Sequence, residues 1–193
     1  AAQPRARLVM LTKSDRVGNL LEVESAGKTA VAWSVNPARV CREFEVGAPS
    51  LAKRLAGARA CQQAGYQVRF VIMPVLPIEG WRQAYSGLIE HLSDGVSPAR
   101  VTVGGICSYP GALRLTRRAL GPDNLVNRMV EPAPSPDGRL RFPRNLRVEL
   151  YRHILGEIRA RWPTMPVGLC LEEAEVWRAV GLDPRRPTCN CQW

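Results

Sequence analysis

The sequence has no long apolar run and almost no closely spaced cysteines, and these absences exclude two classes of protein. No stretch approaches the roughly 18 consecutive apolar residues of a membrane-spanning helix, and the opening Ala-Ala-Gln-Pro-Arg contains no hydrophobic signal region. The six cysteines are scattered along the chain, unlike those of a small disulfide scaffold. We therefore expect reduced thiols, a cytoplasmic location and no membrane partner.

Metal-ligand patterns are also scarce. Cys189 and Cys191 form the one close thiol pair, and two ligands do not complete a metal site. We interpret this pair as mobile thiols, with a contribution to a metal site as the alternative. His91 and His153 lie far apart on predicted helices, where we expect structural or surface roles. The sequence predicts no metal ligand.

The chain is strongly basic. Its formal net charge is +10 over 193 residues, and almost all of the basic residues are arginine. Because arginine forms planar, bidentate contacts with phosphates, this charge favours a nucleic acid or another polyanion as partner. The alternative is a compositional bias of the source organism towards Arg, Ala, Gly and Pro.

Strands and helices alternate along the sequence. This alternation predicts right-handed βαβ units and an α/β fold with about five mostly parallel strands. The 193 residues are too few for an eightfold barrel of about 250 residues, so an open sheet or a partial barrel is expected. The predicted strands are 7–12, 29–35, 66–73, 99–104 and 167–171, and the predicted helices are 17–24, 51–64, 79–92, 112–119, 146–162 and 172–180.

Interruptions of the strand–helix alternation indicate the expected domain organisation. Residues 1–183 are predicted to form a single domain, and Asp137-Gly138 signals a β-hairpin within an insertion near residues 121–145. Asn36-Pro37 and Pro74 are expected to end strands, and residues 44–49 to form a loop. Residues 184–193 are predicted to be a loose C-terminal tail.

Three polar side chains follow the first two strands. Lys13 comes after the first strand, and Ser34 and Asn36 lie at the end of the second strand. Because parallel strands bring their carboxyl ends to one edge of a sheet, these residues should lie close together. A point charge beside two hydrogen-bonding groups suits a ligand with a carboxylate or phosphate. The alternative is a solvent-exposed lysine and a helix-capping serine.

An ordered series of motifs resembles the C-terminal half of the spore photoproduct lyase family of radical S-adenosylmethionine (AdoMet) enzymes. The resemblance covers roughly residues 5–180 and implies the C-terminal part of a partial (β/α)6 barrel. The motifs, in chain order, are Leu-Thr-Lys-Ser (11–14), Trp-Ser-Val-Asn-Pro (33–37), Phe-Glu-Val-Gly-Ala-Pro-Ser (44–50), Ala-Gly-Tyr (64–66), Pro-Val-Leu-Pro-Ile-Glu-Gly-Trp (74–81), Arg-Val-Glu-Leu-Tyr (147–151), Leu-Cys-Leu-Glu (169–172) and Glu-Val-Trp (175–177).

The resemblance also implies the cofactors. In this family a Cys-x3-Cys-x2-Cys loop holds a [4Fe-4S] cluster that cleaves AdoMet to a radical, which repairs a thymine lesion in DNA. That loop is absent here, as is the family's hydrogen-donor cysteine, which lies upstream. The cluster is therefore expected only with the missing N-terminal half of the barrel. We therefore expect a fragment, a split gene product or a degenerate relative, and the start without Met and the immediate entry into a mid-barrel strand favour a fragment.

The resemblance assigns roles to particular residues. Lys13 and Ser34 match the family positions that hold the AdoMet carboxylate, and Asn36 is a weaker match to the same pocket. The family's DNA-wedging hairpin corresponds to a stretch containing Arg139, Arg141, Phe142 and Arg144, in which Phe142 replaces tyrosine as an aromatic plane. The alternative for this stretch is a basic surface turn.

These observations predict part of a radical AdoMet enzyme that acts on DNA. This fragment alone is expected to be inactive. One alternative is a related enzyme with another substrate, because a fold and a cofactor site do not determine the substrate. Another is a non-catalytic basic module that binds nucleic acid.

Overall fold

The main structural element is a five-stranded, fully parallel β-sheet. The computed structural model describes residues 5–186 and 188–192. The strand order is β1-β2-β3-β4-β7, so β1 and β7 are the two edges. The prediction of about five parallel strands is confirmed. The strands of this sheet are Leu8–Thr12 (β1), Thr29–Val35 (β2), Gln67–Val75 (β3), Arg100–Gly105 (β4) and Val167–Leu169 (β7).

Helices connect and cover these strands. The helix α3 packs on β2 and β3, and α7 contacts β4, α4 and α8. Ser50 caps the N-terminus of α3 as its sequence position predicts, because its side chain accepts a hydrogen bond from the Lys53 amide. The helices are Gly18–Leu21 (α1), Ala38–Phe44 (α2), Leu51–Gln63 (α3), Trp81–Ser93 (α4), Pro110–Leu120 (α5), Leu125–Met129 (α6), Arg144–Arg161 (α7) and Ala174–Ala179 (α8).

The central strands are apolar because they are buried on both faces. Six consecutive residues of β2, from Ala30 to Val35, are buried, and so are most residues of β3 and β4. Trp33 is fully buried, and its indole nitrogen donates to the carbonyl of Ser14 at 3.0 Å. This bond holds the segment that follows β1 against the end of β2, where the candidate ligand residues lie.

A second apolar cluster lies among the segments that follow the strands. In this cluster Val40 of α2 packs with Leu76 and Ile78, which follow β3, and with buried residues of α5, α6 and β6. The short strands Cys107–Ser108 (β5) and Leu140–Arg141 (β6) pair antiparallel beside it. The predicted turn at Asp137-Gly138 forms, because the Ser135 amide donates to the carbonyl of Arg139 and the Gly138 amide donates to that of Ser135. However, β6 pairs with β5, a strand that precedes α5.

Several predicted boundaries differ from the structure. The break at Asn36-Pro37 opens the unpredicted helix α2, because proline suits the start of a helix. β3 continues through Pro74 to Val75, with an irregular register there, although Pro74 was expected to end it. α6 was also missed, inside the stretch predicted to be irregular.

The C-terminal residues contact the sheet. Arg69 and Arg100, at the starts of β3 and β4, both donate to the carbonyl of Gln192, and Arg100 also donates to that of Cys189. The Thr188 hydroxyl bonds to the carbonyl of Val167. The sequence predicted a loose tail here, whereas residues 188–192 pack on the amino ends of the strands. Among the described helices, none has both the length and the apolar character needed to cross a membrane.

Candidate ligand site and its relatives

Lys13 and Asn36 meet at one buried carboxylate oxygen. The Lys13 ammonium lies 2.6 Å from Glu45 Oε1, and the Asn36 amide nitrogen donates to the same atom at 3.0 Å. Asn36 is fully buried, and the Glu45 side chain is only 6% exposed, whereas that of Lys13 is 36% exposed. The structure therefore brings together two of the three predicted ligand residues at the carboxyl edge of the sheet.

Ser34 joins this group through a buried arginine. Arg54 of α3 has no exposed surface, and its Nη2 lies 2.5 Å from Glu45 Oε2. Its Nη1 donates to the carbonyl of Ser34 at 3.0 Å, and its Nε donates to that of Pro49 at 2.8 Å. The Ser34 hydroxyl itself is directed to the carbonyl of Met73 in β3, at 3.3 Å. Arg54 thus connects the end of β2 to Glu45.

Glu45 is held in its charged form. Burial alone would raise the pKa of this carboxyl group, but hydrogen bonds from Asn36, Lys13 and Arg54 outweigh burial and hold the pKa below its ordinary value. Lys13 and Arg54 bring two positive charges against this single carboxylate. The site therefore has one excess positive charge, and an adjoining cavity of about 300 Å³ is lined by Lys13, Glu45, Val40, Phe44, Pro74 and Leu76 among others.

Glu45 and Arg54 were not among the residues predicted from the sequence. Glu45 lies in the stretch that was interpreted as a loop. Arg54 interrupts the apolar face of α3 formed by Leu51, Leu55 and Ala58, and a charged residue in such a face indicates a buried partner. The partner itself was not visible in a single sequence, since Lys13 and Glu45 are 32 residues apart.

The predicted nucleic-acid residues have different environments. The Arg144 side chain is 59% exposed, with Glu173 at 3.8 Å. Arg139 is partly exposed, pairs with Asp137 at 3.2 Å and lies over the ring of Tyr109. Arg141 is instead buried, where both of its Nη atoms donate to Asp137, at 2.9 and 2.7 Å. These three arginines line a cavity of about 580 Å³ together with acidic residues of the segment after β7.

Phe142 does not lie on the surface. Its side chain has 0% exposure and packs in the second apolar cluster, with Leu140 and Leu76. The expectation that Phe142 presses on a base is therefore not supported, because a ring that stacks on nucleic acid must be accessible. Phe142 directly follows β6 and shares this cluster with Leu140, two residues earlier in the chain.

A second buried charge network follows β7. Glu172 is 1% exposed and binds Arg147 at 2.5 Å, and Arg147 also donates to Glu173 and to the carbonyl of Phe142. The Tyr151 hydroxyl accepts from the Gly105 amide at 2.6 Å and lies 3.4 Å from Glu172. Burial raises the pKa of Glu172 despite Arg147 and Arg141. The network joins α7 to the carboxyl ends of β4 and β7.

The cysteines do not assemble a cluster site. Cys41 and Cys61 are buried in α2 and α3, and Cys107 lies in β5. Over residues 5–186 and 188–192, no group of three or more His, Cys, Asp or Glu side chains has an arrangement that could hold a metal ion. The described residues therefore do not fit the thiolate set of a [4Fe-4S] cluster.

Comparison with known families decides the relationship. The family model of spore photoproduct lyase matches residues 1–103, which is more than half of the chain. The chain belongs to the spore photoproduct lyase family. Both β1 and β2, with Lys13, Ser34, Asn36 and Glu45, lie within the matched part. The resemblance inferred from the ordered motifs is confirmed.

Relatives and solved structures agree with the family. Spore photoproduct lyase of Geobacillus sp. (strain Y412MC61) is 39% identical over 87 residues, which are 45% of this chain and 26% of the relative. The solved structure of spore photoproduct lyase complexed with dinucleoside spore photoproduct has a TM-score of 0.76 and 26% identity, and the match covers 88% of this chain and 53% of that one. This likeness confirms the predicted fold, the C-terminal part of a radical AdoMet barrel.

A further solved structure holds a cofactor. It is a double mutant of spore photoproduct lyase with bound AdoMet and dinucleoside spore photoproduct, and it has a TM-score of 0.75 and 27% identity. The match covers 86% of this chain and 52% of the solved chain. The present chain thus spans about half the length of the solved spore photoproduct lyases that it matches.

The burial of Phe142 gives a testable prediction. Phe142→Ala should lower the free energy of unfolding by about 3–5 kcal/mol, because truncating a buried ring leaves a cavity. The exposed Tyr109 serves as the matched control, and Tyr109→Ala should change stability by only about 0.5 kcal/mol. Urea unfolding followed by circular dichroism measures both values. Equal stability of the two variants would show that Phe142 lies at the surface in solution.

Proposed function

We propose that this chain is the AdoMet-binding part of a radical AdoMet enzyme of the spore photoproduct lyase type, which repairs a thymine lesion in DNA. Membership of the family and the likeness to a solved relative with bound AdoMet support this proposal. The observation that carries it is the Lys13 ammonium, held at the carboxyl edge of the sheet by Glu45, beside Asn36 and a cavity.

The residues at this edge fit the amino-acid end of AdoMet. The single excess positive charge of Lys13, Arg54 and Glu45 matches one ligand carboxylate. Lysine has three N–H donors, and among the residues that the structure describes only Glu45 binds the Lys13 ammonium, so two donors are available to a ligand. The Asn36 oxygen Oδ1 is buried without a hydrogen-bond partner among the described residues, which leaves an acceptor for a donor on the ligand.

In this proposal the [4Fe-4S] cluster is bound by another part of the enzyme and not by this chain. Together with a [4Fe-4S] cluster, bound AdoMet supplies the radical that starts the repair. The thiolates for that cluster would come from the N-terminal half of the barrel, which we propose as a partner of this chain. The edge strand β1 is the proposed docking position, because Leu8 and Leu11 are 52% and 60% exposed on it. Lys13, at the end of β1, would then lie near the junction.

DNA binding is the second part of the proposal. The net charge of +10 favours a polyanion, and Arg139 and Arg144 are the members of the predicted set with accessible guanidinium groups. Both line the cavity of about 580 Å³ beside the segment after β7. Arg141 and Phe142 are buried, so we assign them to holding this segment in place rather than to contact with DNA.

Removing the Lys13 charge tests the AdoMet site. Lys13→Ala should weaken AdoMet binding about tenfold or more, because a charge-assisted hydrogen bond contributes roughly 1.5–3 kcal/mol. The control is Lys53→Ala, which removes an exposed lysine of α3. Ligand-observed NMR with AdoMet at millimolar concentration measures both affinities. If Lys13→Ala binds AdoMet as tightly as the unmodified chain, Lys13 is not part of the site.

Removing two arginines tests the DNA contact. The double variant Arg139→Ala/Arg144→Ala should reduce the slope of log affinity against log salt by about one unit per lost phosphate contact, with little change in sequence preference. Fluorescence anisotropy with duplex DNA over a salt series measures the slope. The control Arg59→Ala/Arg185→Ala removes the same charge elsewhere and should keep the slope. An unaltered slope and affinity in the first variant would refute the contact.

A further inference from the structure

Glu45 is the common partner of the side chains that the proposed function uses. Its Oε1 atom is shared by Lys13 and Asn36, and its Oε2 atom lies 2.5 Å from Arg54. Arg54 in turn donates to the backbone of Ser34 and Pro49. The segment after β1, the end of β2, the loop before α3 and α3 itself are therefore all connected to one buried carboxylate.

Burial makes this arrangement rigid. The Glu45 side chain is 6% exposed and that of Arg54 is not exposed, so neither group can turn to water without leaving the other charge unpaired. A lysine on an open strand end would otherwise lose much side-chain entropy on binding a ligand. Holding Nζ at a fixed place before the ligand arrives removes part of that cost.

We propose that Glu45, held by Arg54, is a positioning residue for the ligand carboxylate. It keeps the Lys13 ammonium and the Asn36 amide in place while two N–H groups of Lys13 remain for the ligand. This inference rests on the proposed AdoMet site and adds two residues to it. Glu45 does not contact the ligand carboxylate itself, since two carboxylates repel each other.

Two other roles for Glu45 predict different results. If Glu45 only stabilised the fold, its loss would weaken the binding of every ligand of this site equally. If it acted only through its negative charge, removing that charge would strengthen the binding of a carboxylate, because the site would have two excess positive charges instead of one. A positioning role predicts a weakening that is confined to ligands with a carboxylate.

A matched ligand pair separates these roles. AdoMet and decarboxylated AdoMet differ by the carboxylate, so the ratio of their affinities for the 193-residue chain reports on the carboxylate contact. Glu45→Asp keeps the charge but shortens the side chain by one methylene, so it cannot reach Lys13, Asn36 and Arg54 together. We expect the preference for AdoMet to fall roughly fivefold or more, the worth of one hydrogen bond.

The control lies two residues earlier in the chain. Glu43 is exposed at the end of α2 and pairs with Arg39, one turn earlier. Glu43→Asp should leave the preference for AdoMet unchanged. Thermal unfolding of each variant checks that the chain is folded. If Glu45→Asp does not fold, Glu45→Gln replaces it, and a preference that falls supports positioning while a preference that rises supports an effect of charge alone.

Each outcome has a separate meaning. An equal loss of both ligands in Glu45→Asp, or an unchanged preference, would overturn the positioning role while leaving the AdoMet site intact. If the unmodified chain shows no preference for AdoMet over its decarboxylated form, or if Lys13→Ala keeps that preference, the carboxylate site itself is refuted and the inference with it.

Discussion

The buried ion pair between Glu45 and Arg54 is the constraint on which the candidate site depends. Two charges with little or no solvent contact are tolerated only when their hydrogen bonds are well satisfied. Here Arg54 also donates to the carbonyls of Ser34 and Pro49, and Glu45 Oε1 also accepts from Lys13 and Asn36. The same hydrogen bonds that stabilise the buried pair therefore hold the polar residues at the ends of β1 and β2 in place.

The parallel sheet explains why these residues can meet. Adjacent parallel strands bring their carboxyl ends together, and the pairing of Thr12 with Trp33 sets the relative position of β1 and β2. The same edge carries the Glu172–Arg147 network after β7, so charged residues follow strands at both sides of the sheet. We propose that this edge binds AdoMet near β1 and that Arg139 and Arg144 contact DNA beside the segment after β7.

The sequence predicts local features well and distant pairings poorly. The bounds of β2 agree to the residue because its mostly apolar run ends at Asn36-Pro37, and Ser50 is recognisable as a cap from its position before an apolar periodicity. Glu45 and Arg54 depend on contacts between separate segments. Phe142 was misjudged because its arginine neighbours indicate a surface, whereas its ring, directly after β6, packs in an apolar cluster with Leu140.

We propose that the carboxyl ends of β1 and β2 bind AdoMet. The most direct measurement is a titration of the 15N-labelled chain with AdoMet, followed by amide chemical shifts. The largest changes are expected at Lys13, Ser34, Asn36 and Glu45, with small changes at the amino ends of the strands. Changes confined to residues 135–144, or no saturable change at these four positions, would contradict AdoMet binding at this edge.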